Sequence, residues 1–172
     1  MSKEDEIKRS LSKVQETSNI ICDNKSVGMI IKKDEKILLN ERKKPPFGFA
    51  PLAGHVDDHG SFEDAARDEV KEEAGLTVTK LTLIFEGRIE NYCRRKDGTW
   101  HYWKWYTAET EGKIVANPDE TIRVGWYSKR EVKKLADRTK KYLAGEITDD
   151  EWLKNPGLEP AWFEWAKEMK MI

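Results

Sequence analysis

Three glutamates in the middle of the chain have the spacing that metal chemistry on a helix requires. Glu69, Glu72 and Glu73 stand at positions i, i+3 and i+4, which share one face of an α-helix. Carboxylates this close repel one another unless a cation lies among them. A divalent ion such as Mg²⁺ prefers oxygen ligands, bridges phosphate oxygens and activates water for attack. From the spacing alone, a solvated acidic face is the alternative interpretation.

The residues before this segment favour the metal interpretation. Gly54 follows Ala53 shortly before the predicted helix, and glycine lets a backbone approach a ligand closely. The basic loop that contains Arg42, Lys43 and Lys44 supplies side chains that bind phosphate. As an isolated feature, this loop is equally well explained as a solvated turn.

The acidic segment is predicted to be a helix with defined ends. Ser61 is the candidate N-cap, and Asp64 stands where a capping-box acid reaches back. Gly75 is the expected stop, because glycine takes the left-handed C′ conformation at little cost. An apolar stripe at helical spacing is expected to face the core and consists of Ala65, Ala66, Val70 and Ala74.

Apolar runs elsewhere predict strands that position this helix. The predicted strands cover residues 27–31, 36–39, 76–88, 100–109 and 122–127, with a turn at 95–98. The first two form a hairpin by their pattern. Helices are predicted after Ser128, after Thr148 and from Pro160 to about Met169. Because strands and helices interleave while hairpins are also present, we expect one α/β (mixed α+β) domain with a mixed β-sheet.

Composition excludes several classes of protein. The 172 residues include 31 basic and 32 acidic ones, and a net charge of -1 makes nucleic acid an unlikely partner. No apolar run approaches the roughly 18 residues of a membrane span. Residues 1–15 lack the apolar core of a signal peptide. Cys22 and Cys93 form no Cys-x-x-Cys pair that would suggest zinc, so we expect two reduced thiols in a cytoplasmic protein.

Residues 54–76 resemble the Nudix box, a loop–helix–loop with the pattern G-x5-E-x7-R-E-U-x-E-E-x-G-U, where U is a bulky aliphatic residue. The positions that match in register are Gly54, Glu69, Val70, Glu72, Glu73, Gly75 and Leu76. The similarity extends over residues 27–135, and Glu120 with Trp126 resembles a late acidic residue and strand aromatic of many members. An N-terminal helical extension (about 1–20, with a polar helix or arm from Lys3 to Glu16) and a C-terminal helical tail (about 144–172) lie outside the common core.

The resemblance implies a fold, a cofactor and a reaction. The fold is a Nudix-like α/β/α sandwich with a mixed sheet, and the reaction is hydrolysis of a pyrophosphate bond in a nucleoside diphosphate derivative. Mg²⁺ or Mn²⁺ is expected to be bound by Glu69, Glu72 and Glu73 with the Ala53 carbonyl. Glu69, Glu72 and Glu120 are the expected catalytic residues, with Glu69 and Glu120 both candidates for the base. The expected substrate-binding residues are Arg42, Lys44, Phe47 and Gly54.

Two positions of the box depart from the family pattern. The first glutamate of the family is Gly60 here, and the arginine is Asp68. In the family this pair is thought to brace the loop against the helix. We hypothesise that a reversed pair, His59 or His55 with Asp68, replaces it, because Arg67 points about 100° around the helix from position 68.

Several alternatives stay open at this stage. A Nudix-like module that binds nucleotides or a partner with little turnover is one, and a pyrophosphatase acting on capped RNA ends is another. The chain is compatible with a homodimer. The aromatic candidates for stacking on a base also suit packing in a sheet: Phe47, Phe49, Tyr92, Trp103 and Trp105. For the aromatic tail at residues 152–162, docking of a terminal helix is preferred over formation of a pocket.

Overall fold

The computed structural model describes residues 18–172. The predicted polar helix or arm from Lys3 to Glu16 lies outside the described residues. The last part of the predicted N-terminal extension, residues 18–20, lies in a short strand rather than in a helix. None of the helices in the described part of the chain is long and apolar enough to span a membrane.

Strands and helices interleave along the described residues, as the sequence predicts. The strands are β1 Ser18–Ile21, β2 Lys25–Lys33, β3 Lys36–Arg42, β4 Phe49–Ala50, β5 Leu52–His55, β6 Thr77–Ile89, β7 Arg95–Lys96, β8 His101–Glu111 and β9 Thr121–Tyr127. The helices are α1 Phe62–Ala74, α2 Lys129–Leu143, α3 Asp149–Lys154 and α4 Pro160–Glu168, and a single 3-10 turn covers Asp57–His59.

The central sheet is mixed, which confirms the predicted fold class. Strand β2 is parallel to β8 and antiparallel to β3 and β5. Strand β6 pairs antiparallel with β8, and β9 pairs antiparallel with β3. The predicted hairpin of β2 and β3 closes through Asp34 and Glu35, which both take positive φ, the conformation of a tight two-residue turn. Strands β1 and β7 form a separate parallel pair.

Alternation along β2 divides the interior into two cores. Val27, Met29 and Ile31 face the core beneath α1, whereas Ile30 faces the second core, because successive side chains of a strand point to opposite faces. The second core contains apolar residues of α2 and α4. The sheet therefore lies between helices on both faces, as in an α/β/α sandwich.

The C-terminal tail docks against the second face of the sheet. The Trp105 ring lies 5.0 Å from that of Trp162, and Phe85 lies 5.3 Å from Trp165. The segment before α4 also extends the sheet edge, because the Phe49 amide donates to the Gly157 carbonyl at 2.8 Å. The expected docking of a terminal helix is thus present, and the tail also contributes Glu159 to the cavity described next.

Candidate active site

The ends of α1 are fixed by the residues that the sequence indicates. The Ser61 hydroxyl accepts a hydrogen bond from the Asp64 amide at 3.0 Å, and Gly75 takes φ 69° after the last turn. The Asp64 carboxylate accepts a bond from the Ser61 hydroxyl rather than from the backbone that a capping box would use. The predicted stripe, Ala65, Ala66, Val70 and Ala74, is buried against the sheet. This packing directs the glutamates of α1 toward β5.

A cavity of about 370 Å³ lies beside α1 and β5. It brings together most of the site residues predicted from sequence: Arg42, Ala53, Gly54, Glu69, Glu72, Glu73 and Glu120. Phe47 and Lys44 are not among its lining residues. Four carboxylates from α1 and from the loop before β9 therefore share one concave surface with one arginine from β3.

Glu69 lies directly over Gly54. A Cβ atom built on Gly54 would stand 2.1 Å from the Glu69 carboxyl carbon and from one of its oxygens. No side chain fits there, so glycine at this position is required by the close approach of β5 to α1. The first glycine of the motif thus sets where Glu69 lies.

Glu73 is held by neighbours on two strands. The Asn40 side-chain amide donates to its carboxylate at 2.9 Å, and the Ala53 backbone also hydrogen-bonds to it. Burial raises the pKa of Glu73 to about 8, against the lowering effect of the nearby Arg42 charge. The Asn40 side-chain oxygen is buried and has no hydrogen-bond partner among the described residues. Sequence reasoning missed Asn40, because only the pairing of β3 places it near α1.

The pKa of Glu69 is raised in the same way as that of Glu73. Burial, together with the charges of Glu73 and Glu72, raises its pKa to about 8. Two neighbouring carboxyls of one site are thus easier to protonate than ordinary glutamates. A divalent cation among them would reverse both effects, because it stabilises the ionised forms.

Glu120 is held by the basic loop predicted to bind phosphate. The Lys44 ammonium lies 2.8 Å from its carboxylate, and the Lys43 amide donates to its carbonyl at 3.2 Å. Arg42 donates from Nε to the Pro46 carbonyl at 2.7 Å, which fixes its stem. Lys44 therefore positions a candidate base, while its predicted contact with substrate stays a prediction.

His59 and Asp68 form the reversed pair that the sequence suggested. His59 Nδ1 lies 2.7 Å from the Asp68 carboxylate. The hydrogen bond to Asp68 raises the pKa of His59, and the charges of Asp68, Glu69 and Glu72 contribute further. Gly60 takes φ 98°, a conformation that a glutamate there would adopt only under strain. Arg67 is directed away and donates to the Val78 carbonyl at 3.0 Å.

The candidate aromatics divide between cavity and core. Tyr92 and Trp103 line the cavity. Trp105 is buried in the second core, and Phe49 packs at 5.4 Å from Tyr127. Phe47 is half-buried outside the cavity. Base stacking is therefore a role open to Tyr92 and Trp103.

Replacing Gly54 by alanine is expected to displace Glu69 and weaken Mg²⁺ binding by about tenfold or more, since disturbance of residues that orient metal ligands costs roughly 10–100-fold in affinity. Isothermal titration calorimetry measures the change. The matched control is Gly125→Ala, because a Cβ there meets nothing closer than 3.7 Å. Wild-type Mg²⁺ affinity in Gly54→Ala would contradict the assigned contact.

The stability of the metal-free protein is expected to fall as pH rises. Unfolded glutamates lose their protons near the ordinary value of 4.5, whereas Glu69 and Glu73 keep theirs to about pH 8. The folded state binds more protons in this window, so the free energy of unfolding decreases with pH. Thermal melts between about pH 5 and pH 9 with EDTA should show the loss, and Mg²⁺ should restore Tm most at high pH. A Tm with EDTA that rises over this window would refute the assignment, and Glu69→Gln/Glu73→Gln should flatten the profile.

The His59–Asp68 pair is expected to stabilise the fold at low pH only. Because the pKa of His59 is raised above 6.5, its contribution is complete below that value and is lost as pH rises through the raised pKa. A double-mutant cycle of His59→Gln and Asp68→Asn should give a coupling of roughly 0.2–1 kcal/mol at about pH 6 and none at about pH 9, since the Asp68 side chain is 54% exposed and solvent screens the pair. Equal coupling at both pH values in urea unfolding would argue against an ion pair.

Comparison with known proteins identifies a protein family and several similar structures. A family model described as the NUDIX domain matches residues 23–145. A MutT NUDIX hydrolase from Burkholderia pseudomallei is 25% identical, with a TM-score of 0.56 over 63% of this chain and 84% of that chain. A binary complex of an Ap4A hydrolase from C. elegans is also 25% identical, with a TM-score of 0.51 over 70% of this chain and 98% of that one.

A NUDIX-family hydrolase from Clostridium perfringens shares the fold over a longer stretch. Its TM-score is 0.57 over 85% of this chain and 95% of that chain, at 20% identity. No curated protein sequence gave a significant match. The family model covers well over half of the chain and includes the glutamates of α1. The protein belongs to the Nudix hydrolase family.

Proposed function

We propose that the protein hydrolyses a pyrophosphate bond in a nucleoside diphosphate derivative with Mg²⁺ or Mn²⁺ as cofactor. The observation that carries this proposal is the gathering of four carboxylates, Glu69, Glu72, Glu73 and Glu120, around one cavity. Without a cation, two of them have pKa values raised to about 8. Such a cluster is unfavourable unless a positive ion and its ligand normally occupy the site.

The donor set fits a hard divalent ion. Glu69, Glu72 and Glu73 offer carboxylate oxygens, and the Ala53 carbonyl is a further oxygen donor at the same cavity. Glu72 is an exposed residue, whereas Glu69 and Glu73 are half-buried, so the set has a side open to substrate. When bound, such an ion supplies positive charge for phosphate oxygens and lowers the pKa of water.

The remaining residues have roles that follow from their positions. Arg42 places a permanent positive charge in the cavity, which suits the negative charge of a diphosphate. Glu69 and Glu120 are the two candidates to accept a proton from the attacking water. Asn40 orients Glu73 through its hydrogen bond, and Lys44 orients Glu120. Glu72 is the least enclosed of the three α1 glutamates that line the cavity, and we assign it to the metal.

Two aromatic residues that line the cavity suit the nucleoside part of a substrate. Tyr92 exposes 41% of its surface, and Trp103 is half-buried and stacks on Trp105 at 5.3 Å. Aromatic faces of this kind stack on bases. A related fold belongs to an Ap4A hydrolase, which supports nucleotides as the first compounds to test.

The decisive experiment is a panel of nucleoside di- and triphosphates, sugar nucleotides, ADP-ribose and dinucleoside polyphosphates, assayed for products with Mg²⁺ and Mn²⁺. We expect metal-dependent cleavage of at least one compound. Glu72→Gln should lower kcat/KM by more than about 100-fold with an unchanged Tm, because even partners of metal ligands are worth roughly 10–100-fold. The matched control is Glu109→Gln, whose side chain is 73% exposed on β8.

Wild-type turnover by Glu72→Gln would contradict the assignment of Glu72 as a metal ligand. Nucleotide binding by calorimetry without any product would instead support the second candidate, a binding module with little catalysis. The departures at Gly60 and Asp68 favour that candidate, whereas the His59–Asp68 pair restores a link between loop and helix and favours turnover.

A further inference from the structure

Four soft or borderline metal ligands meet at the end of the cavity farther along β5. The donor atoms of Cys22, His55, Cys93 and His101 all lie within 4.8 Å of one another. The group contains both cysteines of the sequence and two of its three histidines. Each comes from a different segment, so local sequence spacing does not explain why they meet. His55 directly follows Gly54, whereas Cys93 belongs to the loop between β6 and β7.

The sulfur–sulfur distance within the cluster matches an edge of a tetrahedron around zinc, and one sulfur–nitrogen distance is about 0.4 Å shorter than such an edge. Cys22 Sγ lies 3.2 Å from His101 Nε2 and 3.8 Å from Cys93 Sγ. With Zn–S near 2.3 Å and Zn–N near 2.0–2.1 Å, tetrahedral coordination places two sulfurs about 3.8 Å apart and a sulfur about 3.6 Å from a nitrogen. A disulfide would require a sulfur separation of about 2.05 Å. Both cysteines are free thiols in the structure.

The histidines present their ring nitrogens to the cluster. His101 Nδ1 lies 3.1 Å from both the backbone and the side-chain oxygen of Asn91, which places its proton there and leaves Nε2 as the electron-pair donor toward Cys22. His55 Nε2 is buried and has no hydrogen-bond partner among residues 18–172. A buried polar atom without a partner is costly and rare. A metal ion satisfies both nitrogens.

Backbone amides donate hydrogen bonds to both cysteine sulfur atoms. The Asn24 amide donates to Cys22 Sγ at 3.3 Å, and the Arg95 amide donates to Cys93 Sγ at 3.4 Å. Each bond runs from the residue two positions after the cysteine, and such bonds stabilise a thiolate. Gly98 packs against the loop that contains Cys93, and a Cβ atom on Gly98 would lie 2.2 Å from Cys93 Sγ. The loop is therefore shaped around its sulfur.

We propose that Cys22, His55, Cys93 and His101 bind one zinc ion in a closed, structural site. Two thiolates and two imidazoles select zinc over the hard cations that carboxylates select. Because the protein supplies all four ligands, no position is left open for water or substrate, which is the mark of a structural site. The inference does not depend on the hydrolytic function.

Charges around the cluster are compatible with a bound cation. The positive charge of Arg95 and the negative charges of Asp23 and Asp57 all act on His55, and Arg95 Nη2 donates to the Asp57 carboxylate at 2.7 Å, which offsets the charge of Arg95. Burial raises the pKa of Cys22 to about 12 and lowers the pKa of His55 to about 4. Neutral imidazole is the form of histidine that binds metal, and binding of zinc would displace the protons of both thiols.

Zinc here would anchor one wall of the cavity. The residues next to Cys93, among them Tyr92, Arg94 and Arg95, line that cavity together with His55 and His101. Strands β1 and β7 pair only with each other in the described sheet pattern. A tetrahedral ion would tie this small sheet to the ends of β5 and β8, immediately beside the first glycine of the Nudix box.

The test is the metal content of the full-length protein, expressed in zinc-supplemented medium and dialysed against metal-free buffer before mass-spectrometric elemental analysis. We expect about one zinc ion per chain, lost in Cys93→Ser and in His101→Gln. His59→Gln is the matched control, because it changes the third histidine and should keep the ion. Glu72→Gln should also keep it, which separates this site from the carboxylate site.

A second measurement uses wild-type protein alone and does not depend on the variants folding. Cobalt(II) added to protein refolded without metal should give strong visible absorption, which is typical of tetrahedral coordination, and near-ultraviolet charge-transfer bands, which report thiolate ligands. Absence of zinc together with an octahedral cobalt spectrum would overturn the proposal. A Cys22–Cys93 disulfide in protein purified under reducing conditions, or zinc retained in both variants, would overturn it as well.

Discussion

The enclosure of like charges between α1 and β5 is the constraint on which the rest of the site depends. Glu69 lies over the bare backbone of Gly54, and Glu73 is enclosed by Asn40 and Ala53. The apolar stripe of α1 holds the helix in this position by burying four small or branched side chains in the sheet. Core packing thus forces carboxylates together, and relief of their repulsion would favour the binding of a cation.

One cavity then contains two chemically different ends. The α1 end offers oxygen donors and the charge of Arg42, which suit a hard ion and phosphate. The β1–β7 end offers sulfur and nitrogen, which suit zinc. If both proposed sites bind their ions, the different ligand types would keep the two metals apart, since selectivity follows ligand softness and geometry. Residues 53–55 connect the two ends along a single strand.

The features that were predicted correctly from the sequence depend on residues that are close together in the chain. The caps of α1 and α2, the β2–β3 hairpin and the buried stripe of α1 depend on residues within a few positions of each other. The box glutamates are also local, so their shared face follows from helical geometry. The His59–Asp68 contact is also local, because its two residues are nine positions apart in the sequence.

Long-range pairing accounts for what the sequence did not predict. Asn40 meets Glu73 across 33 positions, and Cys22 meets His101 across 79. The parallel pairing of β2 with β8 brings Cys22 and His101 together, because it places the first residues of both strands at the same edge of the sheet. The expectation of two simple thiols was reasonable from spacing, since a zinc ligand set is recognised by sequence only when its members are close together.

The packing of α4 gives the molecule a built-in optical probe. Trp103, Trp105, Trp162 and Trp165 are four of the seven tryptophans, and their rings lie 5.0–6.5 Å apart in the contacts that join them. Trp103 lies at the cavity, while the other three are buried behind it. Indole emission depends on polarity and on neighbouring rings. The fluorescence of the unlabelled protein therefore reports both the arrival of a ligand in the cavity and the seating of the C-terminal helix.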